Sequence, residues 1–232
     1  MLKGKTISLI IPVFNEANNI ASVLESIPSF VDHVIVVNDG SRDNTGALVD
    51  EGITRYQRMF PEIQLCFHHL NHETNKGKGA AVKTGYRLAL SLNTHLIGTI
   101  DGDGQMDMLE FESLCLPVVD DVADYTKGER LSHLEAASII PSTRLLGIHI
   151  LSFATRVISG YRGIEDAQSG FTVISREFLR RLPINSLYDS YGYPNDMLIR
   201  LSMLDARVKE IPITPIYHPN AASKMRIYKV IP

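Results

Sequence analysis

The sequence predicts an α/β fold, a mostly parallel sheet flanked by helices. Two observations carry this. Apolar runs of strand length alternate with helical periodicities through residues 7–100, joined by short connections. Three of the predicted strands end in polar clusters: Asn15-Glu16, Asn38-Asp39-Gly40-Ser41 and Asp101-Gly102-Asp103. In such sheets ligands bind beyond the carboxyl ends of the strands.

Ile7 to Val13 is a continuous apolar run, as expected of a strand buried on both faces. Ile20, Val23, Leu24 and Ile27 recur at helical spacing and stop near Pro28. Val34 to Val37 is a second buried strand. Leu48, Val49, Ile53, Tyr56 and Phe60 predict a helix ending before Pro61, and Ile63 to Phe67 a third strand. A polar loop from Asn71 to Gly79 precedes a helix from about Ala80 to Leu92, and Leu96 to Ile100 is the fourth strand.

The second half is less regular. Ala123 to Lys127 predicts a strand leading to Gly128-Glu129-Arg130, and Leu145 to Ile158 an apolar helix. Phe171 to Ile174 predicts a strand, Arg176 to Leu182 a short helix, and Asp196 to Leu204 a helix after Pro194. Val208 to Tyr217 alternates around Pro212 and Pro215 and reads as an edge strand. With no repeat, low-complexity segment or clear linker, residues 1–232 are expected to form one domain. Two halves are expected within it, about 1–105 and about 106–232.

Of the 232 residues, 44% are hydrophobic and 21% charged, enough for a real core. The net charge of −3 gives no basic signal for nucleic acid. Cys66 and Cys115 sit far apart in apolar contexts and read as buried thiols of a reducing compartment. Met1 to Lys5 lacks the apolar region of a signal peptide, and no run approaches the ~18 apolar residues of a membrane span. The expectation is a cytoplasmic chain, peripheral at a membrane face if its substrate requires it. Its abrupt end at Ile231-Pro232 is compatible with truncation before membrane segments.

Asp101-Gly102-Asp103-Gly104-Gln105 is the most informative stretch. Carboxylates at i and i+2, with an amide oxygen at i+4, suit a hard divalent cation shared with phosphate oxygens. The glycines allow a tight turn and close approach of a ligand. An EF-hand has the same ligand spacing through Asp107 and Glu112. It needs Gly where Met106 stands, and an entering helix where a strand is predicted.

Six pieces in order resemble the family 2 glycosyltransferases of the GT-A, Rossmann-like fold. They are Ile11-Pro12-Val13-Phe14-Asn15-Glu16, Val37-Asn38-Asp39-Gly40-Ser41 with Asp43-Asn44-Thr45, and Asn75-Lys76-Gly77-Lys78-Gly79-Ala80-Ala81. Asp101-Gly102-Asp103-Gly104-Gln105, Asp166-Ala167-Gln168-Ser169-Gly170-Phe171 and Ser223-Lys224 follow. The likeness covers nearly the whole chain and is greatest to the branch that makes polyprenyl-phosphate sugars, the dolichyl-phosphate mannose synthases among them. It implies a nucleotide pocket lined by Pro12, Phe14, Glu16, Val37 and Asp39, with Lys78 and Gly102 close by. It implies Mg²⁺ or Mn²⁺ at Asp101 and Asp103, completed by Gln105. Arg130, Lys224 and Arg226 would meet phosphates, and Asp166 would face the acceptor. Many members carry Asp where Asn38 stands; the matched nucleotide contact is Asp39, so little loss is expected. The chain has no Trp and so lacks the Gln-x-x-Arg-Trp motif of processive synthases.

The implied reaction is inverting transfer of a sugar, of the GDP-mannose or UDP-glucose type, to polyprenyl phosphate. A hydroxyl acceptor needs a carboxylate base, whereas a phosphomonoester with a second pKa near ~6 is already an anionic nucleophile. Alternatives are transfer to a hydroxyl of a glycan or glycolipid, and a non-catalytic nucleotide-sugar-binding module. A membrane-embedded partner or an anchor beyond Pro232 would bring the chain to a lipid acceptor. His68, His69 and His72 read as surface or strand-end residues, since their spacing builds no metal site alone. The Leu145–Ile158 helix faces either the core or a lipid, with Arg156 and Arg162 at its end.

Overall fold

The computed structural model describes residues 1–132 and 142–216, without the side chains of residues 142–144 and 146. Lys224 and Arg226, and the phosphate contacts expected of them, lie outside the described residues, as does Tyr217.

Seven strands form one sheet in the order β3-β2-β1-β4-β6-β5-β7. They are β1 (Ile7–Val13), β2 (His33–Asn38), β3 (Cys66–Asn71), β4 (Leu96–Thr99), β5 (Tyr125–Glu129), β6 (Thr172–Ser175) and β7 (Val208–Pro212). Only β6 runs against the others, so the sheet is mostly parallel as predicted. The helices are α1 (Ile20–Glu25), α2 (Thr45–Met59), α3 (Lys78–Ser91), α4 (Phe111–Val119), α5 (Ser142–Ser159), α6 (Arg176–Arg181) and α7 (Tyr193–Ser202).

β1 shows why the sheet is covered twice. Its residues alternate between faces. Ile7, Leu9, Ile11 and Val13 enter one core with residues of α1, α2 and α4; Ile10 enters the other with residues of α3 and α7. Both faces of a central parallel strand must be apolar, which is why β1 and β2 read so clearly in the sequence. Successive strands step from β1 to β2 and β3, and then return to β4 on the other side of β1. The chain reversal between β1 and β4 opens a crevice at their carboxyl ends, where Glu16 and Asp101 sit.

Three elements differ from expectation. β3 lies at Cys66–Asn71, not Ile63–Phe67, with His33 opposite Cys66 in register. It is an edge strand and needs no continuous apolar run; Ile63 and Leu65 pack below it instead. Cys66 is therefore exposed, contrary to the expected buried thiol, while Cys115 is buried. α4 has no counterpart in the predicted elements, because Pro117 interrupts it; its Phe111, Leu114, Cys115 and Val118 are nevertheless buried. α7 begins at Tyr193, with Pro194 in the first turn, where its missing N–H costs nothing. β7 is the edge strand that its prolines indicated.

Candidate active site

The ends of β1 and β2 are joined by side chain to backbone bonds. Asn15, at φ 53°, turns the chain after Phe14. Its N–H donates to Ser41 Oγ at 3.0 Å, and its Oδ1 accepts from Arg42 N at 2.8 Å. Glu16 N donates to Thr45 Oγ1 at 2.8 Å. Glu16 is thereby held at the crevice beside the end of β4. Pro12 is buried in β1, and Val37 opposite it is fully enclosed in the core. The Val37 side chain thus supports the pocket floor from beneath, rather than lining an open cleft as expected.

Asp39 also differs from expectation. It is only 2% exposed. Its carboxylate accepts from Lys76 N at 2.9 Å and Gly77 N at 2.8 Å, and lies 2.6 Å from His72 Nδ1. His72 Nε2 is in turn 3.0 Å from Thr84 Oγ1 on α3. Asp39 therefore organises the 72–77 loop, and His72 is the strand-end histidine of the two expected alternatives, turned onto Asp39. His69 pairs with Asp50 at 2.7 Å, and His68 lies 3.3 Å from His33. His72 directly follows β3, and no signal in the sequence marked it because the strand was expected to end at Phe67. Asn38 bonds Asn71 Oδ1 through its amide and takes Ser41 N on its oxygen, so an amide serves at this position.

The loop set by Asp39 delivers Lys78 at the first turn of α3. Lys78 Nζ lies 2.6 Å from Asp101 Oδ1 and 2.7 Å from Oδ2. Gly170, from the Asp166–Phe171 segment, abuts this pair: a Cβ there would stand 2.7 Å from both Asp101 Oδ1 and Lys78 Nζ. Gly102 packs against β1, since a Cβ would meet Val13 at 2.5 Å. Packing, and not only ligand approach, explains that glycine. Asp103 Oδ1 accepts from Gln105 N at 3.0 Å, and Gln105 O accepts from Ile216 N at 3.0 Å.

Burial, and next the charge of Asp101, push the Asp103 carboxyl up to about 6. The Asp103 carboxylate thus feels the charge of Asp101, whose own oxygens pair with Lys78 Nζ. That arrangement fits a divalent cation, which would relieve the repulsion. Among the described residues no group of three or more His, Cys, Asp or Glu side chains is placed to hold a metal. The protein would supply Asp101 and Asp103, and substrate oxygens and water the remaining positions. The sequence reading missed Tyr191. Burial, then the charges of Asp101, Glu16, Asp39 and Asp103, raise its phenol, so it lies within the field of the crevice carboxylates.

The second half contributes a buried charge network. Arg130, at the end of β5, grips Asp166 with two bonds: Nε to Oδ2 at 2.6 Å and Nη2 to Oδ1 at 2.9 Å. The two side chains are 7% and 0% exposed. Burial alone would raise the Asp166 carboxyl, but Arg130 and then Lys127 outweigh it and hold it below the usual carboxylate range. Glu210 of β7 accepts from Glu165 N at 2.7 Å and Asp166 N at 3.0 Å. Lys127, fully buried in β5, donates to Ser169 O. Lys127 and Glu210 therefore fix both ends of the segment whose Gly170 touches the Lys78–Asp101 pair. Neither was singled out in the sequence; the available signal was a lysine at the end of the strand predicted from Ala123 to Lys127.

The family model for glycosyl transferase family 2 matches residues 8–182. The chain belongs to glycosyltransferase family 2. It is a glycosyltransferase, and the sheet is the GT-A arrangement that the resemblance implied. It is 30% identical to the UDP-N-acetylglucosamine–dolichyl-phosphate N-acetylglucosaminyltransferase of Methanococcus voltae, over 93% of this chain and 88% of that protein. It is 32% identical to the dolichyl-phosphate beta-glucosyltransferase ALG5C of Trichomonas vaginalis, over 97% of this chain and 67% of that one. The crystal structure of Mycobacterium tuberculosis glucosyl-3-phosphoglycerate synthase superposes with a TM-score of 0.68 at 22% identity, covering 94% of this chain and 74% of that one. The glycosyltransferase match reaches through β6 and so includes both the Asp101 turn and the Asp166 segment.

Proposed function

We propose that this glycosyltransferase moves a sugar from a nucleoside diphosphate sugar to a polyprenyl phosphate, with inversion at the anomeric carbon. The observation that carries the acceptor class is the state of Asp166. Its two oxygens are gripped by Arg130, and its affinity for protons is lowered. It is thus a poor proton acceptor, and a hydroxyl nucleophile would lack its base. A phosphate monoester needs none, since it is already an anion at neutral pH. The relatives' names, which specify dolichyl phosphate, agree with this reading.

In this reading the nucleotide lies over Pro12, Phe14 and Glu16. When bound at Asp101 and Asp103, Mg²⁺ or Mn²⁺ supplies Lewis-acid stabilisation of the departing diphosphate. Lys78, anchored on Asp101, adds a fixed positive charge to the same region. Arg130, oriented by Asp166, receives the acceptor phosphate and sets its line of attack. Lys224 and Arg226 of the tail complete the phosphate contacts. Residues 1–105 would thus bind the donor and 106–232 the acceptor. The chain would work at the cytoplasmic face of a membrane. The donor's sugar is a hexose or N-acetylhexosamine, consistent with the relatives' names.

The test is the pH–rate profile of Asp166→Asn, normalised to folded protein. The proposal expects a modest loss that is flat with pH. A near-total loss that varies with pH would assign Asp166 as a base and the acceptor as a hydroxyl.

A further inference from the structure

α5 is amphipathic in the reverse sense. Beyond Ile148, which is buried, its inward face carries hydroxyls: Ser152, Thr155 and Ser159 are 1%, 3% and 8% exposed. Ser152 Oγ accepts from Ala167 N at 3.0 Å, and Ser159 Oγ donates to Thr155 O at 2.7 Å. Its outward face carries large apolar side chains: Ile150, Phe153, Val157 and Ile158 are 59%, 64%, 68% and 65% exposed. Positions 150, 153, 154, 157 and 158 share one helical stripe, and Ala154 between them is exposed as well. The other large exposed apolar residues, Met1, Met59, Leu109, Val122 and Met203, are scattered over the chain.

A helix that hides its hydroxyls and shows its aliphatic side chains to the outside is built for an apolar medium. The charges beside the stripe say which one. At the C-terminal end of α5 a groove of ≈ 550 Å³ is lined by Phe153, Val157, Gly160, Arg156 and Arg162. Two guanidinium groups at the border of an apolar strip match phosphate headgroups above acyl chains. No helix among the described residues is long and apolar enough to cross a membrane, so α5 would lie in the interface plane.

We infer that the Ile150–Phe153–Val157–Ile158 face of α5 is a docking surface for an anionic lipid bilayer, with Arg156 and Arg162 at the headgroups. The inference takes its purpose from the proposed lipid-linked acceptor but rests on its own observation. Ser152 couples this surface to the acceptor side, because its partner Ala167 follows Asp166 directly.

The chain has no tryptophan, so Phe153→Trp places a single reporter on the face. Vesicles of phosphatidylcholine containing phosphatidylglycerol should shift its emission to shorter wavelength, and bromine-labelled lipid should quench it. Phe153→Ser with Val157→Ser should weaken vesicle flotation by about tenfold or more, given the value of burying each side chain. Transfer to detergent-solubilised polyprenyl phosphate should be unchanged in that pair. An unshifted spectrum with phosphatidylglycerol vesicles overturns the inference. So does flotation of the double variant equal to that of the parent. A blue shift that depends on protein concentration without vesicles assigns the face to a second copy of the chain and also overturns it. Flotation without transfer in detergent would retain the docking surface and reject the polyprenyl-phosphate reading instead.

Discussion

The two ends of the crevice solve the problem of charge differently. On the proposed donor side, Glu16, Asp101 and Asp103 gather at strand ends, Lys78 pairs with Asp101, and Asp103 is pushed up to about 6. On the proposed acceptor side, Arg130 and Asp166 form a buried ion pair, and Lys127 and Glu210 bond the backbone of the 165–169 segment. In the proposed function the first region would reach charge balance only with a cation and a diphosphate bound. The second is complete before any ligand arrives, and presents a cation held in one orientation. Under the proposed function the contrast separates a donor half that would bind by gaining charge balance from an acceptor half that would bind by preorganisation.

The largest way to break this contrast is at Arg130. Arg130→Ala leaves Asp166 as an unpaired buried carboxylate, which should cost about 3–5 kcal/mol in urea unfolding. A loss below ~1 kcal/mol would mean that the network is not preorganised. Arg130→Lys should recover little of it, because an ammonium cannot reproduce the two-bond grip. Next is the donor side. Asp103→Ala should lower cation-dependent turnover of the nucleotide sugar by about a hundredfold or more, with melting temperature little changed. Unchanged turnover would remove the turn from cation binding.

Smaller effects sharpen the comparison through pH. Protons compete with the cation for Asp103, whose carboxyl lies near 6, so Mn²⁺ affinity should weaken as pH falls through that value. A Mn²⁺ titration at several pH values checks this, and a pH-flat affinity would contradict it. The smallest effect concerns Glu210. Burial pushes its carboxyl from 4.5 up to about 7. The folded chain then holds a proton that the unfolded chain has released. The Glu210 contribution is therefore full below about 4.5 and is lost as pH rises towards 7. Glu210→Gln keeps an acceptor for Glu165 N and Asp166 N and should flatten that slope at a cost of about 1 kcal/mol. Thermal melts of both proteins across this window provide the check.

The legibility of these regions in the sequence follows the same division. β1, β2 and β4 were legible because a strand covered on both faces must be apolar throughout. The Asp101 turn was legible because two carboxylates and two glycines in five residues form a local pattern. β3 was misplaced because an edge strand is free of that constraint, and α4 was missed because Pro117 suggests a break. Lys127 and Glu210 escaped notice because their partners are set by the sheet, not by the chain: β5 and β7 are neighbours in space but distant in sequence. His72 likewise reaches Asp39 only after β3 has paired with β2. Asp39 shows the converse limit. Its motif was read, but the direction of its carboxylate depends on the loop that folds over it.

The central claim is that the acceptor is an anion needing no base, received by a guanidinium already in place. The most direct measurement compares transfer of labelled sugar from UDP- and GDP-sugars, with Mn²⁺ or Mg²⁺, to polyprenyl phosphate and to the polyprenol of the same length. The account predicts product from the phosphate alone. Equal or faster transfer to the polyprenol hydroxyl would contradict it.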